Sequence, residues 1–444
     1  MSLLTIMNKT LAMFTTASLL LSAVTGPPIG ANESAASAQS ANASGRAAVT
    51  APSLTLKWKT PTDGSGIYEE QQPVRNGMIL YSADNTLYAR NIATGQIKWS
   101  FKNGGRPQIL TNHSVFFIDP NQQLVKVSLG TGKLIWKVKV AKRPMEIGGQ
   151  ARLINGKVIF ANESGGIAAF HPVTGAKLWE NNNIPMYAGS IYGEYKDTLV
   201  VSSTVNNIRS QFFGINPETG ARIWRIEGVY SFLAHEAGQL VLLESDLNRY
   251  STSPNPVPGH LLTLVNLDPA TGKISNQQHY QPLEDVRGVS QYYVSTQGSY
   301  LYSADTKSDQ DETILTRFAR GQSSDYAFKT YDDFGSWVAG PVQGMAFFMK
   351  GAQLRGVNMA DDSVVEFDHP SGKIVRVTRS GKVVFASFEN GDFSILNAST
   401  GKLLGTLPTG AKHPYFGSIA IVNRTVLVPT ESALLALALP KELQ

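Results

Sequence analysis

Residues 87–101 read LYARNIATGQIKWSF, and the pattern returns as LVKVSLGTGKLIWKV at 124–138, IAAFHPVTGAKLWE at 167–180 and FFGINPETGARIWRI at 212–226. In each copy a Thr-Gly pair is followed, four residues after the glycine, by a tryptophan. Trp99, Trp136, Trp179 and Trp224 follow one another at intervals of 37, 43 and 45 residues. A period of this length is typical of one blade of a β-propeller.

Each part of the repeat has a physical role. An apolar strand such as MILYSAD (78–84) or KVIFANE (157–163) precedes it, and the Thr-Gly turn leads into the tryptophan strand. The glycine supplies the positive φ angle of a bulged hairpin, and the tryptophan is large enough to wedge between blades. Since one blade cannot bury both faces, the blades must stack around a ring. We predict such wedges at Trp58, Trp99, Trp136, Trp179 and Trp224.

The repeated Thr-Gly-x-x-x-Trp resembles the repeat of the PQQ-enzyme (quinoprotein) family of β-propellers, over nearly the whole chain from about 53 to 440. The resemblance implies an all-β protein with a single propeller of four-stranded blades, eight being the family norm. The family includes alcohol and sugar dehydrogenases that use pyrroloquinoline quinone (PQQ), and also non-catalytic scaffolds of the BamB type. We interpret the chain as a member of the secreted, non-catalytic branch with a BamB-like architecture.

The two ends of the repeat region predict how the ring closes. Residues 425–430 (TVLVPT) and 433–439 (ALLALAL) are strands that lack a tryptophan strand, whereas 53–60 (SLTLKWKT) is a tryptophan strand without predecessors. We therefore expect the Trp58 strand to complete the last blade. Nine candidate outer strands lie near residues 58, 99, 136, 179, 224, 276, 329, 367 and 405. Because 299–367 has lost the Thr-Gly signal, one candidate can be an insertion, so we expect eight blades and leave nine open.

The N-terminal region has the features of an export signal. Lys9 precedes an apolar run, and Ala36-Ser37-Ala38 has the small-x-small pattern that signal peptidase requires. We predict a signal peptide over 1–38, a flexible leader over 39–52 and the propeller over 53–440. The chain has no cysteine, so it has no disulfide and cannot be a lipoprotein. We expect a secreted or cell-envelope-associated monomer without a transmembrane segment.

The chain is basic, with a net charge of +5 and a pI of about 9.1. This charge favours anionic surroundings such as wall polymers or lipid headgroups. The lysines and arginines form no run and no aromatic-interleaved stripe in the sequence, so we expect no nucleic-acid partner.

Two expanded loops predict where a partner binds. In a propeller the connection between the second and third strands lies on the same face as the connections between blades. Two such loops, 245–260 and 304–313, are long in consecutive blades, and expanded loops on a rigid scaffold are a functional signal. Drift in tolerant surface loops is the alternative. We predict that a protein or cell-envelope glycan binds there, through Asp246, Arg249, Tyr250, Asp309 and Asp311.

The second of these loops is acidic. Asp305, Asp309, Asp311 and Glu312 offer oxygen ligands of the kind that Ca²⁺ takes. They lack the order of a dedicated calcium loop. We therefore interpret them as a solvated hairpin tip and predict no metal site.

Trp337 departs from the wedge pattern. It lies in DFGSWVAGPV, the predicted entry into an inner strand near the channel mouth. Corresponding entries in other blades carry Glu69, Arg106, Glu146, Tyr187, Tyr230, Arg287 and Tyr415. Such a ring suits a planar or sugar-like ligand, and a water-filled channel is the alternative. Our candidate ligand-binding residues are Trp337, Asp332, Asp333, Arg287, Arg106 and Glu146.

Signatures of common catalytic sites are missing from the sequence. The seven histidines include no HExxH pair, and no G-x-S-x-G elbow is present. We therefore predict a binding scaffold with no catalytic residues and no cofactor. The alternative is a PQQ-dependent alcohol or sugar dehydrogenase that uses Ca²⁺. The resemblance implies a disulfide beside the quinone in alcohol-oxidising members, which this chain cannot form, whereas sugar-oxidising members manage without one.

Overall fold

The computed structural model describes residues 52–64, 72–140, 145, 148–187, 189–205, 209–244, 262–280, 291–306, 312–321, 328–370, 372–412 and 416–444. The predicted signal peptide and all of the predicted leader except Pro52 lie outside these residues. No helix in the part of the chain that is described is long and apolar enough to cross a membrane.

The described residues form nine four-stranded antiparallel sheets, which we call blades 1 to 9. The N-terminal strand is β1 (Leu56–Pro61). Blades 1 to 4 follow it in chain order: β2 (Val74–Arg75), β3 (Met78–Ala83), β4 (Thr86–Asn91), β5 (Ile97–Lys102); β6 (Pro107–Leu110), β7 (Ser114–Ile118), β8 (Gln123–Ser128), β9 (Leu134–Lys139); β10 (Gly149–Ile154), β11 (Lys157–Asn162), β12 (Ile167–Phe170), β13 (Lys177–Asn181); β14 (Ser190–Tyr195), β15 (Thr198–Val205), β16 (Arg209–Ile215), β17 (Arg222–Gly228).

Blades 5 to 8 repeat this arrangement, and blade 9 combines the last three strands with β1. Their strands are β18 (Tyr230–Glu236), β19 (Gln239–Glu244), β20 (Leu262–Leu267), β21 (Ile274–Tyr280); β22 (Gln291–Gln297), β23 (Tyr300–Thr306), β24 (Thr313–Ala319), β25 (Phe328–Thr330); β26 (Ser336–Val342), β27 (Met345–Lys350), β28 (Gln353–Asn358), β29 (Val364–Phe367); β30 (Ile374–Ser380), β31 (Val383–Phe388), β32 (Asp392–Asn397), β33 (Leu403–Pro408); β34 (Ala420–Val422), β35 (Thr425–Pro429), β36 (Ala433–Ala438).

The hydrophobic core is divided among the junctions between blades. The buried side chains form nine clusters, and each cluster joins two neighbouring blades. One of them connects Ile79 of blade 1 with Leu427 and Ala436 of blade 9, which closes the ring. The second and third strands read as nearly continuous apolar runs because both of their faces are covered. The prediction of an all-β single propeller is confirmed, and the described residues give nine blades, the count left open, instead of eight.

The tryptophans form a recurrent joint between blades. Trp99 of blade 1 packs on the Thr-Gly turn of blade 2, where a Cβ added to Gly132 would lie 2.6 Å from the indole. The Trp99 Nε1 atom donates a hydrogen bond to the Leu129 carbonyl, three residues before that glycine, at 2.7 Å. The same packing occurs in five consecutive joints, those of Trp58 on Gly95, Trp99 on Gly132, Trp136 on Gly175, Trp179 on Gly220 and Trp224 on Gly272.

Joints later in the ring use other chemistry. In blade 6, Lys329 lies opposite Arg317 and forms an ion pair with Asp362, which occupies the glycine position of the next turn with φ of 61°. Arg317 donates a hydrogen bond to the Met359 carbonyl, which corresponds to the acceptor of the tryptophan joints, at 3.0 Å. A cationic pair thus replaces the tryptophan between blades 6 and 7.

The N-terminal segment closes the ring in two steps. Ser53 forms a parallel bridge with Thr406, and the Leu54 side chain fills the space beside Gly405 of blade 8. β1 then pairs antiparallel with β36, placing Trp58 opposite Ala436. The Trp58 strand therefore completes the last blade.

The two ends of each blade define two faces of the ring. The loop face carries the connections from the second to the third strand and from one blade to the next. The turn face carries the first hairpin and the Thr-Gly turn. This division places every possible surface site on the loop face, the turn face or the outer rim.

Candidate functional site

Carboxylates recur where the second strand of a blade reaches the loop face. In seven of the nine blades an Asp or Glu lies at the end of that strand or within two residues of it. These residues are Asp84, Asp119, Glu163, Glu244, Asp305, Glu389 and Glu431. Because the second strand is one strand out from the centre of each blade's row, these residues encircle the centre of the loop face, and we call them the carboxylate ring.

Three members of the carboxylate ring are buried. The exposed fraction is 5% for Asp305, 8% for Glu163 and 9% for Asp119. The Asp119 carboxylate accepts a hydrogen bond from the Gln123 backbone amide at 2.8 Å, and Asp305 accepts one from the Ser303 hydroxyl at 2.7 Å. These contacts fix the start of each loop, since a buried charge must be hydrogen-bonded.

Glu163 lies at the centre of a polar cluster that joins blades 3 and 4. The Gln150 side-chain amide of β10 donates to the Glu163 Oε1 atom at 3.2 Å and to the Gly189 carbonyl, at the entry to β14, at 2.8 Å. The Glu163 backbone amide donates to the Gly148 carbonyl at 3.1 Å. A Cβ added to Gly148 would lie 3.1 Å from the Glu163 carboxylate, so this glycine allows the carboxylate to lie close to the backbone.

The charge state of Glu163 depends on its burial. Burial raises the pKa of the Glu163 carboxyl, and the Gln150 amide and the nearby Arg106 guanidinium partly offset this effect. Arg106 is half-buried in the connection that precedes β6. The cluster therefore combines a guanidinium, an amide and a carboxyl on the loop face, which suits hydrogen bonding to a basic or hydroxyl-bearing group.

Three other members of the ring are accessible to solvent. Asp84 and Glu389 are exposed, and the Glu389 carboxylate lies 3.8 Å from the Lys373 ammonium. Glu244 accepts hydrogen bonds from the Tyr230 hydroxyl at 3.4 Å and the Gln277 amide at 3.2 Å. The loop face thus presents accessible negative charge from several blades.

Trp337 lies in the core between blades 6 and 7. Its side chain is only 6% exposed, its Nε1 atom donates to the Gly340 carbonyl at 3.0 Å, and its ring lies 5.2 Å from that of Tyr293. Asp332 and Asp333 are exposed in a 3₁₀ turn, where Asp332 accepts a hydrogen bond from the Thr330 hydroxyl at 3.1 Å. The packing between blades 6 and 7 explains the buried position of Trp337. Ligand binding by Trp337, Asp332 and Asp333 stays a prediction.

Only part of the predicted site falls on described residues. Arg106 is placed beside Glu163, whereas Glu146, Arg287 and the loop residues Asp246, Arg249, Tyr250, Asp309 and Asp311 lie outside the described residues. Of the acidic cluster, Asp305 and Glu312 are described. Among the residues that the structure places, no group of three or more metal-ligating side chains is arranged to hold an ion.

The carboxylate ring was not predicted from the sequence. Its signal is an acidic residue after each apolar second strand, as in MILYSAD and KVIFANE. The signal becomes clear once the blades are aligned on their second strands instead of on the Thr-Gly turn. Loops of unequal length separate the two features and hide the recurrence.

Comparison with known proteins gives a family match over the first part of the chain. The family model of the outer membrane protein assembly factor BamB matches residues 25–226 of the sequence. This region ends two residues after Trp224, the last tryptophan of the Thr-Gly-x-x-x-Trp pattern. No curated protein sequence matches the chain significantly.

Several solved structures are similar to the chain. BamB from Moraxella catarrhalis is 13% identical, with 87% of this chain and 99% of that chain covered and a TM-score of 0.43. A quinohemoprotein alcohol dehydrogenase from Comamonas testosteroni is 14% identical, with coverage of 89% and 78% and a TM-score of 0.45. The computationally designed Ika8 protein is 11% identical, with coverage of 88% and 98% and a TM-score of 0.43.

The ring of four-stranded blades makes the chain a β-propeller, and the repeated Thr-Gly-x-x-x-Trp joint together with the family match identifies residues 25–226 as the part built from PQQ-like repeats.

Proposed function

We propose that the chain is an exported, non-catalytic scaffold that binds a protein partner through its loop face, and that the partner presents a positively charged segment there. The observation that carries this proposal is the carboxylate ring, which repeats in seven of the nine blades on the loop face. A repeated charge of one sign attracts a partner of opposite charge and orients it before contact.

The architecture supports a binding role. The loops start from strands that are buried in the junctions between blades, so the carboxylates project from a rigid frame. The matched family is described as an assembly factor for outer membrane proteins, which is a role exercised on other proteins. We propose that the expanded loops at 245–260 and 304–313 add contacts on this face and that no cofactor takes part.

Export is part of the proposal. If residues 1–38 are a signal peptide, the mature chain begins at Gln39. Mass spectrometry of the N-terminal peptide from the native host tests this start. A mature protein that retains residues 1–38 would contradict export by cleavage.

A lysine- and arginine-rich peptide labelled with a fluorophore is the probe for the loop face. We expect it to bind the mature chain and to be released by salt, since exposed charges are screened. The variant D84N/E389Q removes two exposed carboxylates of the ring and should weaken binding about tenfold. The matched control D197N/D361N removes two exposed carboxylates on the turn face and should leave the affinity unchanged.

Other results would overturn the proposal. Equal loss of affinity in the control would show that only the net charge matters. Binding of neutral glycans with no binding of the peptide would assign the face to a glycan instead of a protein. Turnover of alcohols or sugars by the mature chain with PQQ, Ca²⁺ and an artificial electron acceptor would make it a dehydrogenase.

A further inference from the structure

Six lysines lie together on the outer strands that form the rim of the ring. The outer strands β1, β5 and β9 belong to the adjacent blades 9, 1 and 2, and each carries two exposed lysines. The six residues, which we call the lysine rim, are Lys57, Lys59, Lys98, Lys102, Lys137 and Lys139.

Acidic residues do not neutralise the lysine rim locally. The three outer strands contain no Asp or Glu, and neither do the third strands behind them, β36, β4 and β8. Lys57 donates to the Thr425 hydroxyl and Lys59 to the Thr409 carbonyl, both at 2.7 Å, which positions these ammonium groups and leaves their charge intact. In the described part of the chain none of the six forms an ion pair.

Aliphatic side chains are exposed on the same three strands. The exposed fraction is 43% for Leu56, 50% for Ile97, 49% for Leu134 and 48% for Ile135. Each of these residues is within three positions of a lysine of the rim. Exposed aliphatic groups interleaved with lysines are typical of surfaces that enter the headgroup region of a bilayer.

Protection of strand edges does not account for this density of charge. Lysines on edge strands prevent unwanted pairing between sheets. The outer strand β21 of blade 5 has the same kind of edge and carries no lysine or arginine. Two lysines per strand in three adjacent blades therefore call for a ligand.

We infer that the lysine rim is a docking surface for a bilayer that contains anionic lipid. The ammonium groups pair with lipid phosphates, and the aliphatic side chains contact the acyl boundary, which a soluble polyanion does not offer. The lysine rim lies on the outer strands and the carboxylate ring on the second strands, so the membrane and the protein partner proposed above are bound by different side chains.

Sedimentation with vesicles tests the inference. The chain without residues 1–38 is used, because their apolar run would bind lipid by itself. We expect binding to vesicles of phosphatidylcholine and phosphatidylglycerol, little binding to phosphatidylcholine alone, and release by salt. Each lysine near an anionic surface favours binding by about 1 kcal/mol, so K98Q/K137Q/K139Q should bind about a hundredfold more weakly. The control K382Q/K402Q/K441Q removes the same charge from exposed lysines elsewhere and should bind normally.

The contrary outcomes are distinct. Equal loss in both triple variants, or equal binding to both kinds of vesicle, would overturn the inference. Binding of soluble polyphosphate without binding of vesicles would assign the rim to an anionic polymer. A concentration-dependent dimer that K98Q/K137Q/K139Q abolishes, without vesicle binding, would make the rim a contact between copies. Binding of the cationic peptide should survive K98Q/K137Q/K139Q, so the loop-face proposal is tested separately.

Discussion

Lys126 alters one tryptophan joint at the scale of a single residue. In the other joints the residue opposite the tryptophan on the third strand is small, as with Ala89, Ala169 and Gly214. In blade 2 this position holds Lys126 opposite Trp136. The Lys126 ammonium donates to the Pro172 carbonyl at 2.7 Å, the acceptor that a tryptophan uses elsewhere, and the Trp136 Nε1 atom has no hydrogen-bond partner among the described residues.

Replacing Lys126 should therefore restore the common joint. In K126A the Pro172 carbonyl becomes available to Trp136, and a buried unpaired donor gains its bond. We expect the free energy of unfolding to rise by about 1 kcal/mol, measured by urea denaturation.

The reciprocal variant is A169K in blade 3. It brings a lysine beside Trp179, whose Nε1 atom donates to the Pro217 carbonyl at 2.9 Å. This variant should lose about 1–3 kcal/mol of stability. Our account of the joint would be contradicted if A169K raised the free energy of unfolding, or if K126A lowered it by about 1–3 kcal/mol.

Tyr331 makes stability depend on alkaline pH. Burial raises the pKa of Tyr331 to about 12, and its hydroxyl has no hydrogen-bond partner among the residues described. Below about pH 10 the phenol is neutral in both the folded and the unfolded chain. Between about pH 10 and 12 the Tyr331 phenol ionises in the unfolded chain and stays neutral in the folded one. The free energy of unfolding therefore falls as pH rises through this window.

The variant Y331F removes this contribution. Between pH 8 and about pH 11 the free energy of unfolding of Y331F should fall by about 1 kcal/mol less than that of the unmodified chain. Part of the alkaline loss should remain, because burial also raises the pKa of Tyr192 and Tyr293. Chemical denaturation at both pH values measures the difference, and an equal loss in both proteins would place the titration elsewhere.

At the scale of the element, the Thr-Gly turn has two separable functions. Its glycine adopts a positive φ and also leaves room for the tryptophan of the preceding blade. Gly132 has φ of 68° and faces Trp99, whereas Gly156, in the hairpin between β10 and β11, has φ of 78° and would have nothing within 4 Å of an added Cβ. The two glycines therefore share the backbone requirement and differ in packing.

Alanine at these two positions separates the contributions. G156A should cost about 1–2 kcal/mol from the left-handed backbone alone. G132A should cost about 1–3 kcal/mol more, because the Cβ displaces Trp99. Urea denaturation of both variants measures the difference. Equal losses would show that the tryptophan adapts without cost and that the joint depends on the turn geometry only.

The same elements show how far the sequence predicts the structure. Thr-Gly-x-x-x-Trp marks the early blades because one packing solution recurs in them. The pattern disappears where Lys329 and Asp362 perform the same task, since an ion pair between two blades leaves no local repeat. The cluster of Arg106, Gln150 and Glu163 is equally hidden, because its residues come from the connection before β6, from β10 and from the loop after β11.

At the scale of the whole molecule, the N-terminal strand holds the ring together. β36 reads ALLALA and is buried along nearly its whole length when β1 covers it. A chain that starts at residue 52 keeps Leu54 and β1 and should unfold like the mature protein. A chain that starts at residue 62 lacks both and exposes an apolar edge, which favours pairing between molecules.

Size-exclusion chromatography and thermal unfolding compare the two chains. We expect the shorter chain to aggregate and to unfold at a lower temperature. A monomeric shorter chain with unchanged unfolding would show that the hydrophobic clusters close the ring without β1.

The pairing of β1 with β36 also determines when folding can finish. Trp58 and Ala436 are opposite each other although nearly the whole propeller sequence separates them, and contacts so distant along the chain form slowly. During synthesis from the N-terminus, β1 is made first and its partner last. Blade 9 cannot be finished before β36 has been synthesised, so the ring can close only after the strands of all the other blades have been made.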